Sequence, residues 1–121
     1  MARILFVDDD TVSLETLSRA TEILGHEPVT ALSGDQALLL ANSQSFNLIF
    51  SDIQLQDIDG FQLLQRLRET DNCNSVPKFI LSASPVIDAV ERSLAAGAKA
   101  YLSKPLRLDT LEELIEEYSK T

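Results

Sequence analysis

The sequence predicts an α/β fold: a doubly wound parallel sheet of five strands with helices on both faces. Three observations carry that prediction. Short apolar runs of strand length alternate with amphipathic segments of helical period along the whole chain. The runs, such as Ile4-Leu5-Phe6-Val7 and Leu48-Ile49-Phe50, are continuously apolar, as strands buried on both faces require. Polar residues stand directly after the runs, and right-handed crossovers bring those positions to one edge of a sheet.

The elements follow in order. After the first strand, Thr11 to Leu24 places Val12, Leu14, Leu17, Ala20, Ile23 and Leu24 near helical period, with Gly25 as a stop. His26 to Ala31 is a short second strand, and Pro28 argues for a sheet edge or a strand start. Ser33-Gly34-Asp35-Gln36 is a capping-box pattern opening a helix to about Asn42. The central run ends on Ser51-Asp52. A polar loop closed by Asp59-Gly60 leads to a helix reaching about Thr70, with Phe61, Leu63, Leu64 and Leu67 inward. Asp71 to Pro77 is turn-rich. A strand from Lys78 to Ser82, a helix from about Pro85 to Ala96, stop Gly97, a strand from Ala100 to Leu102 and a helix from Leu106 to about Tyr118 complete the chain.

The bulk numbers narrow the function. A chain of 121 residues forms one domain, 1–121, large enough to bury about two-thirds of its unfolded surface. Ten basic against 19 acidic residues give a charge of −9, which disfavours nucleic acid and anionic membrane and favours a cation or a basic protein surface. The single cysteine, Cys73, excludes an internal disulfide and suits a reducing cytoplasm. MARILFVDDD has too short an apolar run for a signal peptide, and no stretch is long enough to span a bilayer.

The strand ends carry the chemistry. Asp8-Asp9-Asp10 follows the first strand, Asp52 the third, Ser82 the fourth and Lys104-Pro105 the fifth. Clustered carboxylates repel one another unless a cation is present. Hard oxygen ligands suit Mg²⁺, which takes one or two protein carboxylates together with waters and phosphate oxygens. Such a metal fits phosphoryl transfer, where Lys104 adds a mobile positive charge and Ser82 a hydroxyl donor. If a phosphoryl group is held covalently, one carboxylate is the nucleophile. The central position selects Asp52, with the first-strand acids holding metal.

Plainer roles compete at each position. Asp10 reads as a helix N-cap. Asp57 and Asp59 read as loop and cap residues, His26 as a loop histidine, Cys73 as incidental in a polar loop, and Tyr101 as packing. The acidic last helix (Glu112, Glu113, Glu116, Glu117) reads as a solvated face. Asp52 has no helix start to cap, so its functional reading prevails.

The motifs ILFVDDD, LIFSDIQLQDIDG, FILSA and AYLSKPL, in this order and spacing, resemble the response-regulator receiver domain of two-component signalling across the full length of the chain. The resemblance implies a flavodoxin-like sheet of order 2-1-3-4-5 and transfer of a phosphoryl group from a phosphohistidine to Asp52. It implies Mg²⁺ held by Asp9, Asp52 and the backbone carbonyl of Gln54, with Asp8 acting through water. Lys104 binds the phosphoryl group, its bond to Pro105 is expected to be cis, and Ser82 and Tyr101 form the switch. The implied partners are a histidine kinase or histidine phosphotransfer protein, and a target docking on the fourth helix, fifth strand and fifth helix. That face would present Asp88, Glu91, Arg92, Lys99, Arg107 and Glu112. Ala100 precedes Tyr101 where dimerising members of the family carry an acid, so a monomer is expected.

Two departures from the family pattern matter. Gln56 stands where proline is frequent, which removes a rigid element from the loop. Gln54 and Ser84 occupy the positions that tune self-dephosphorylation in the family. A rival reading takes FVDDDTV as the nucleophile motif of a haloacid-dehalogenase-type phosphohydrolase, with Asp8 as nucleophile and Asp10 as acid. Ser82 and Lys104 fit that family's later motifs. It leaves Asp52 unexplained and lacks the acids required after the lysine-bearing segment. A flavin or nucleotide binder would need a glycine-rich loop after strand one, which the chain lacks.

Overall fold

The computed structural model describes residues 1–83 and 87–119. Five parallel strands pair in the order β2-β1-β3-β4-β5: β1 (Arg3–Val7), β2 (Glu27–Ala31), β3 (Leu48–Ser51), β4 (Lys78–Ser82) and β5 (Ala100–Ser103). Between and after them run α1 (Thr11–Ile23), α2 (Gly34–Ser43), α3 (Gly60–Arg68), α4 (Ala89–Ala95) and α5 (Leu108–Tyr118). Pro28 lies in β2, an edge strand, where its missing N–H costs the sheet least.

Alternation along each strand divides the core between the two faces. Ile4, Phe6, Leu48, Phe50, Phe79 and Leu81 pack against α1 and α5 through Leu14, Leu17, Leu111 and Ile115. Leu5, Val7 and Ile49 pack against α2 and α3 through Ala37, Ala41, Leu63 and Leu67. Ile80 continues that second face beneath Phe61, Leu64 and Ala96. On the first face the rings of Phe6, Phe50 and Phe79 stack at 5.3 and 4.9 Å, and Tyr118 of α5 meets Phe79 edge-on at 5.2 Å. These rings span the three central strands, so they fix the strands that deliver Asp8, Asp52 and Ser82.

Several local expectations change. Within the described residues α4 starts at Ala89, because Asp88 adopts a left-handed conformation (φ 61°) that a helix cannot include. The expected start at Pro85 lies outside the described residues, as does Ser84. Ser33 caps α2 through the Gln36 amide, but Gln36 returns its side chain to Leu32, not Ser33. The reciprocal capping box forms instead at Asp59 and Gln62, opening α3. Cys73, expected to be incidental in a polar loop, is fully buried against α3. Lys78 is buried beside it, donating from Nζ to the carbonyls of Cys73 (2.5 Å) and Val76 (2.8 Å). His26 holds the other end of the sheet, with Nδ1 accepting from the Ala2 amide at 2.9 Å.

Candidate functional site

The carboxyl ends of β1, β3 and β5 meet at one rim, and their backbones hold the functional residues there. Each sheet ladder runs one residue beyond its strand: the Asp8 amide donates to Ala31, the Asp52 amide to Val7 and the Lys104 amide to Ser82, at 3.1, 2.9 and 2.9 Å. The positions of all three side chains therefore follow from strand pairing. Carboxylate oxygens of Asp8, Asp9 and Asp52 lie within 4.8 Å of one another. Asp8 is buried, Asp52 half-buried and Asp9 exposed, so the cluster opens to solvent on the Asp9 side.

Lys104 enters from β5 and holds two of these acids. Its Nζ donates to Asp8 Oδ2 and, at 3.1 Å, to Asp52 Oδ2. The Asp8 carboxylate also accepts the Asp10 amide at 2.9 Å, and Asp52 Oδ1 accepts the Ile53 amide at 2.7 Å. Three carboxylates and one ammonium leave two uncompensated negative charges. That donor set suits a small divalent cation: oxygen ligands, close spacing and an open side for water. Mg²⁺ therefore fits the residues present.

Burial pushes the Asp8 carboxyl above the ordinary carboxylate value; hydrogen bonds from Lys104 and the Asp10 amide reduce that shift without cancelling it. For Lys104 burial alone acts downward, but the hydrogen bonds and charges of Asp8 and Asp52 outweigh it and leave the ammonium harder to deprotonate than usual. Both directions are consistent. At neutral pH the lysine stays charged, while the desolvation of Asp8 exceeds what its pairing returns.

Of the remaining expected residues, Ser82 lies nearest this rim. Ser82 is buried at the end of β4, and pairing with β5 sets it beside Ser103, one residue before Lys104. The Lys104–Pro105 bond is cis. Tyr101, half-buried on β5, packs against the cluster of Ile53, Phe61, Leu64 and Ile80. Gln54 is exposed in the loop after β3, where it bridges to Asp59. Asp10 is spent on capping α1: it accepts the Val12 amide at 3.1 Å and the Ser13 hydroxyl at 3.0 Å. Arg92, which is exposed on α4, also lies over the Phe61 ring of α3 at 4.4 Å, a favourable cation–π contact.

Sequence reading did not single out Gly60 for the site. A side chain there would collide with the Asp52 carbonyl oxygen, and the Gly60 amide donates to Ile53 at 2.6 Å. The loop that follows Asp52 is thus pressed directly onto the start of α3. Its glycine after a capping aspartate was the available signal.

The model of the response regulator receiver domain family matches residues 4–116. The chain belongs to this family. Receiver domains are signalling phosphoacceptor modules that work with histidine kinases and downstream effectors, not enzymes acting on an external substrate. A hybrid signal transduction histidine kinase of Dictyostelium discoideum is 32% identical over 99% of this chain, which spans 7% of that kinase. A CheY-like receiver domain from Methanospirillum hungatei superposes with a TM-score of 0.90 at 32% identity, covering 98% of this chain and 94% of that one. The receiver domain of a Pseudomonas aeruginosa sensor histidine kinase, solved with magnesium in its active-site cleft, matches at a TM-score of 0.89 and 27% identity over 99% and 98%. The flavodoxin-like fold and its strand order are as expected, and the phosphohydrolase reading is not favoured. Among the described residues no helix is long and apolar enough to cross a membrane.

The raised Asp8 value sets a pH dependence. A carboxyl whose folded-state pKa exceeds its unfolded value favours the fold while protonated, and that contribution is lost as pH rises from about 3.8 through the folded value. In metal-free buffer, Asp8→Asn should unfold at the wild-type midpoint near pH 3. It should become progressively more stable than wild type as pH rises, levelling off once Asp8 is ionised. Thermal melts across pH check this; a variant less stable than wild type at pH 7 would show that the Lys104 pair outweighs burial.

Proposed function

We propose that residues 1–121 act as a receiver unit that takes a phosphoryl group from a phosphohistidine onto Asp52. One observation carries the reading: Asp52 directly follows the central strand, bonded to Lys104 and within 4.8 Å of the other two acids. In the transfer, an Asp52 carboxylate oxygen forms a bond to phosphorus as the phosphorus–nitrogen bond breaks, and the imidazole departs with the electron pair. Asp9, Asp52 and the Gln54 carbonyl would hold Mg²⁺, with Asp8 behind them. When bound, that ion neutralises charge on the phosphoryl oxygens. Lys104 has three N–H donors, so it can turn one toward a phosphoryl oxygen while keeping Asp8. An apolar recess of about 370 Å³ beside Lys104, lined by Val12, Leu17, Leu81, Pro105 and Leu106, offers footing for the histidine-bearing donor protein.

The switch reading builds on the same rim. A phosphoryl oxygen at Asp52 gives the Ser82 hydroxyl an acceptor, and Ser82 lies one strand from Tyr101, the register partner of Ile80. A change at Ser82 is thereby passed to the Tyr101 ring and to α4, shifting the balance between two pre-existing arrangements. Monomeric action in the cytoplasm, with output through α4, β5 and α5, completes the reading.

Incubation with acetyl phosphate and Mg²⁺ should add one base-labile phosphoryl group to the wild type and none to Asp52→Asn. Label retained at wild-type level in Asp52→Asn, or mapped to Asp8, would overturn the assignment. For the switch, beryllofluoride with Mg²⁺ should move NMR signals of Tyr101 and α4. In Ser82→Ala the binding should persist with those shifts reduced; undiminished shifts would remove Ser82 from the coupling.

A further inference from the structure

We propose that Asp57 is a positioning residue for the phosphorylation site: its carboxylate fastens the loop after Asp52 to the start of α2. The inference rests on the phosphoacceptor reading of Asp52 above. Asp57 lies at the outer turn of that loop, and both its oxygens reach across to another element. Oδ1 accepts the Gly34 amide at 2.9 Å and Oδ2 the Asp35 amide at 2.8 Å, donors more than twenty residues away in sequence. Oδ1 also accepts the Ile58 amide at 3.0 Å, which fixes the side chain to its own loop. Those amides hold the Asp57 carboxyl below the usual carboxylate range, chiefly through Gly34, so it is ionised at neutral pH.

Local helix chemistry alone does not require this contact. The first turn of α2 has amides without intrahelical acceptors, and Ser33 already caps it at the Gln36 amide (3.1 Å). Asp57 supplies acceptors for two further amides from outside the helix. Packing reinforces the contact: any side chain at position 34 would run into Ile58, so the glycine admits the loop against the helix. The loop's other end is held where Gln54 bridges Asp59 and Gly60 donates to Ile53. Between these anchors, position 56 carries an exposed glutamine where a proline ring would have limited the backbone. The Asp57 hydrogen bonds provide the restraint that the missing ring does not. The segment they restrain runs back through Gln54, whose carbonyl the reading assigns to the metal.

The test separates positioning from simple capping by comparing Asp57→Ala and Asp57→Asn with Ser33→Ala, which weakens the same helix end without touching the loop. Asp57→Ala should speed amide exchange across residues 54–58 and weaken Mg²⁺ affinity by about tenfold, the lower end for groups that orient a metal ligand. Asp57→Asn keeps one acceptor oxygen and should fall between; it decides the matter if the alanine variant does not fold. Ser33→Ala should lower the melting temperature yet bind Mg²⁺ as wild type does. Unchanged exchange at 54–58 with unchanged Mg²⁺ affinity in the Asp57 variants would reduce Asp57 to a helix cap. An equal loss of affinity in Ser33→Ala would assign the effect to helix stability and also overturn the proposal. A wild type that neither binds Mg²⁺ nor labels on Asp52 would instead sink the phosphoacceptor reading, and the exchange comparison would still decide the clamp.

Discussion

The Lys104 ammonium between Asp8 and Asp52 is the interaction on which the site depends. Without it, a buried carboxylate and a half-buried one would face each other at a sheet edge with only backbone amides to offset their repulsion. With it, the pocket still carries an excess of negative charge, and that residue of repulsion is what a divalent cation relieves. The lysine thus offsets part of the repulsion between the carboxylates.

The fold makes this pairing inevitable once the strands are in register. The Asp8, Asp52 and Lys104 amides each complete a ladder bond to the neighbouring strand. The stacked Phe6, Phe50 and Phe79 rings hold the middle strands from below. Precision at the rim is inherited from the core, and the loops supply what the strands do not. The segment after Asp52 is pressed against α3 at Gly60, closed by the Gln54–Asp59 bridge, and tied to α2 through Asp57. Two helices, α2 and α3, are thus tied to the segment after Asp52.

The sequence made the strand–helix alternation, the central strand and the acidic rim legible, because buried parallel strands and clustered acids are strong local patterns. The N-caps at Asp10 and Ser33 and the edge position of Pro28 were readable for the same reason. What escaped depended on partners distant in sequence. Asp57 looked like any loop aspartate, since its two amides lie on the preceding helix. Lys78 looked like the polar start of a strand, yet neighbouring carbonyls allow it to be buried. Cys73 sat among turn-forming residues, and only folding of that loop over α3 hides it. The late start of α4 follows from a left-handed Asp88, a conformation that aspartate tolerates but does not announce.

The central claim is that the carboxylate cluster destabilises the metal-free protein and that a divalent cation reverses this. Thermal unfolding of wild type and Asp9→Asn, with EDTA and with Mg²⁺, tests it most directly. In EDTA the variant should melt higher, since one of three mutually repelling charges is gone. With Mg²⁺ at about a hundredfold excess over its dissociation constant, linkage should stabilise the wild type by about 2.7 kcal/mol and leave the variant almost unmoved, inverting the order. A wild type that melts higher in EDTA and ignores millimolar Mg²⁺ would contradict the account.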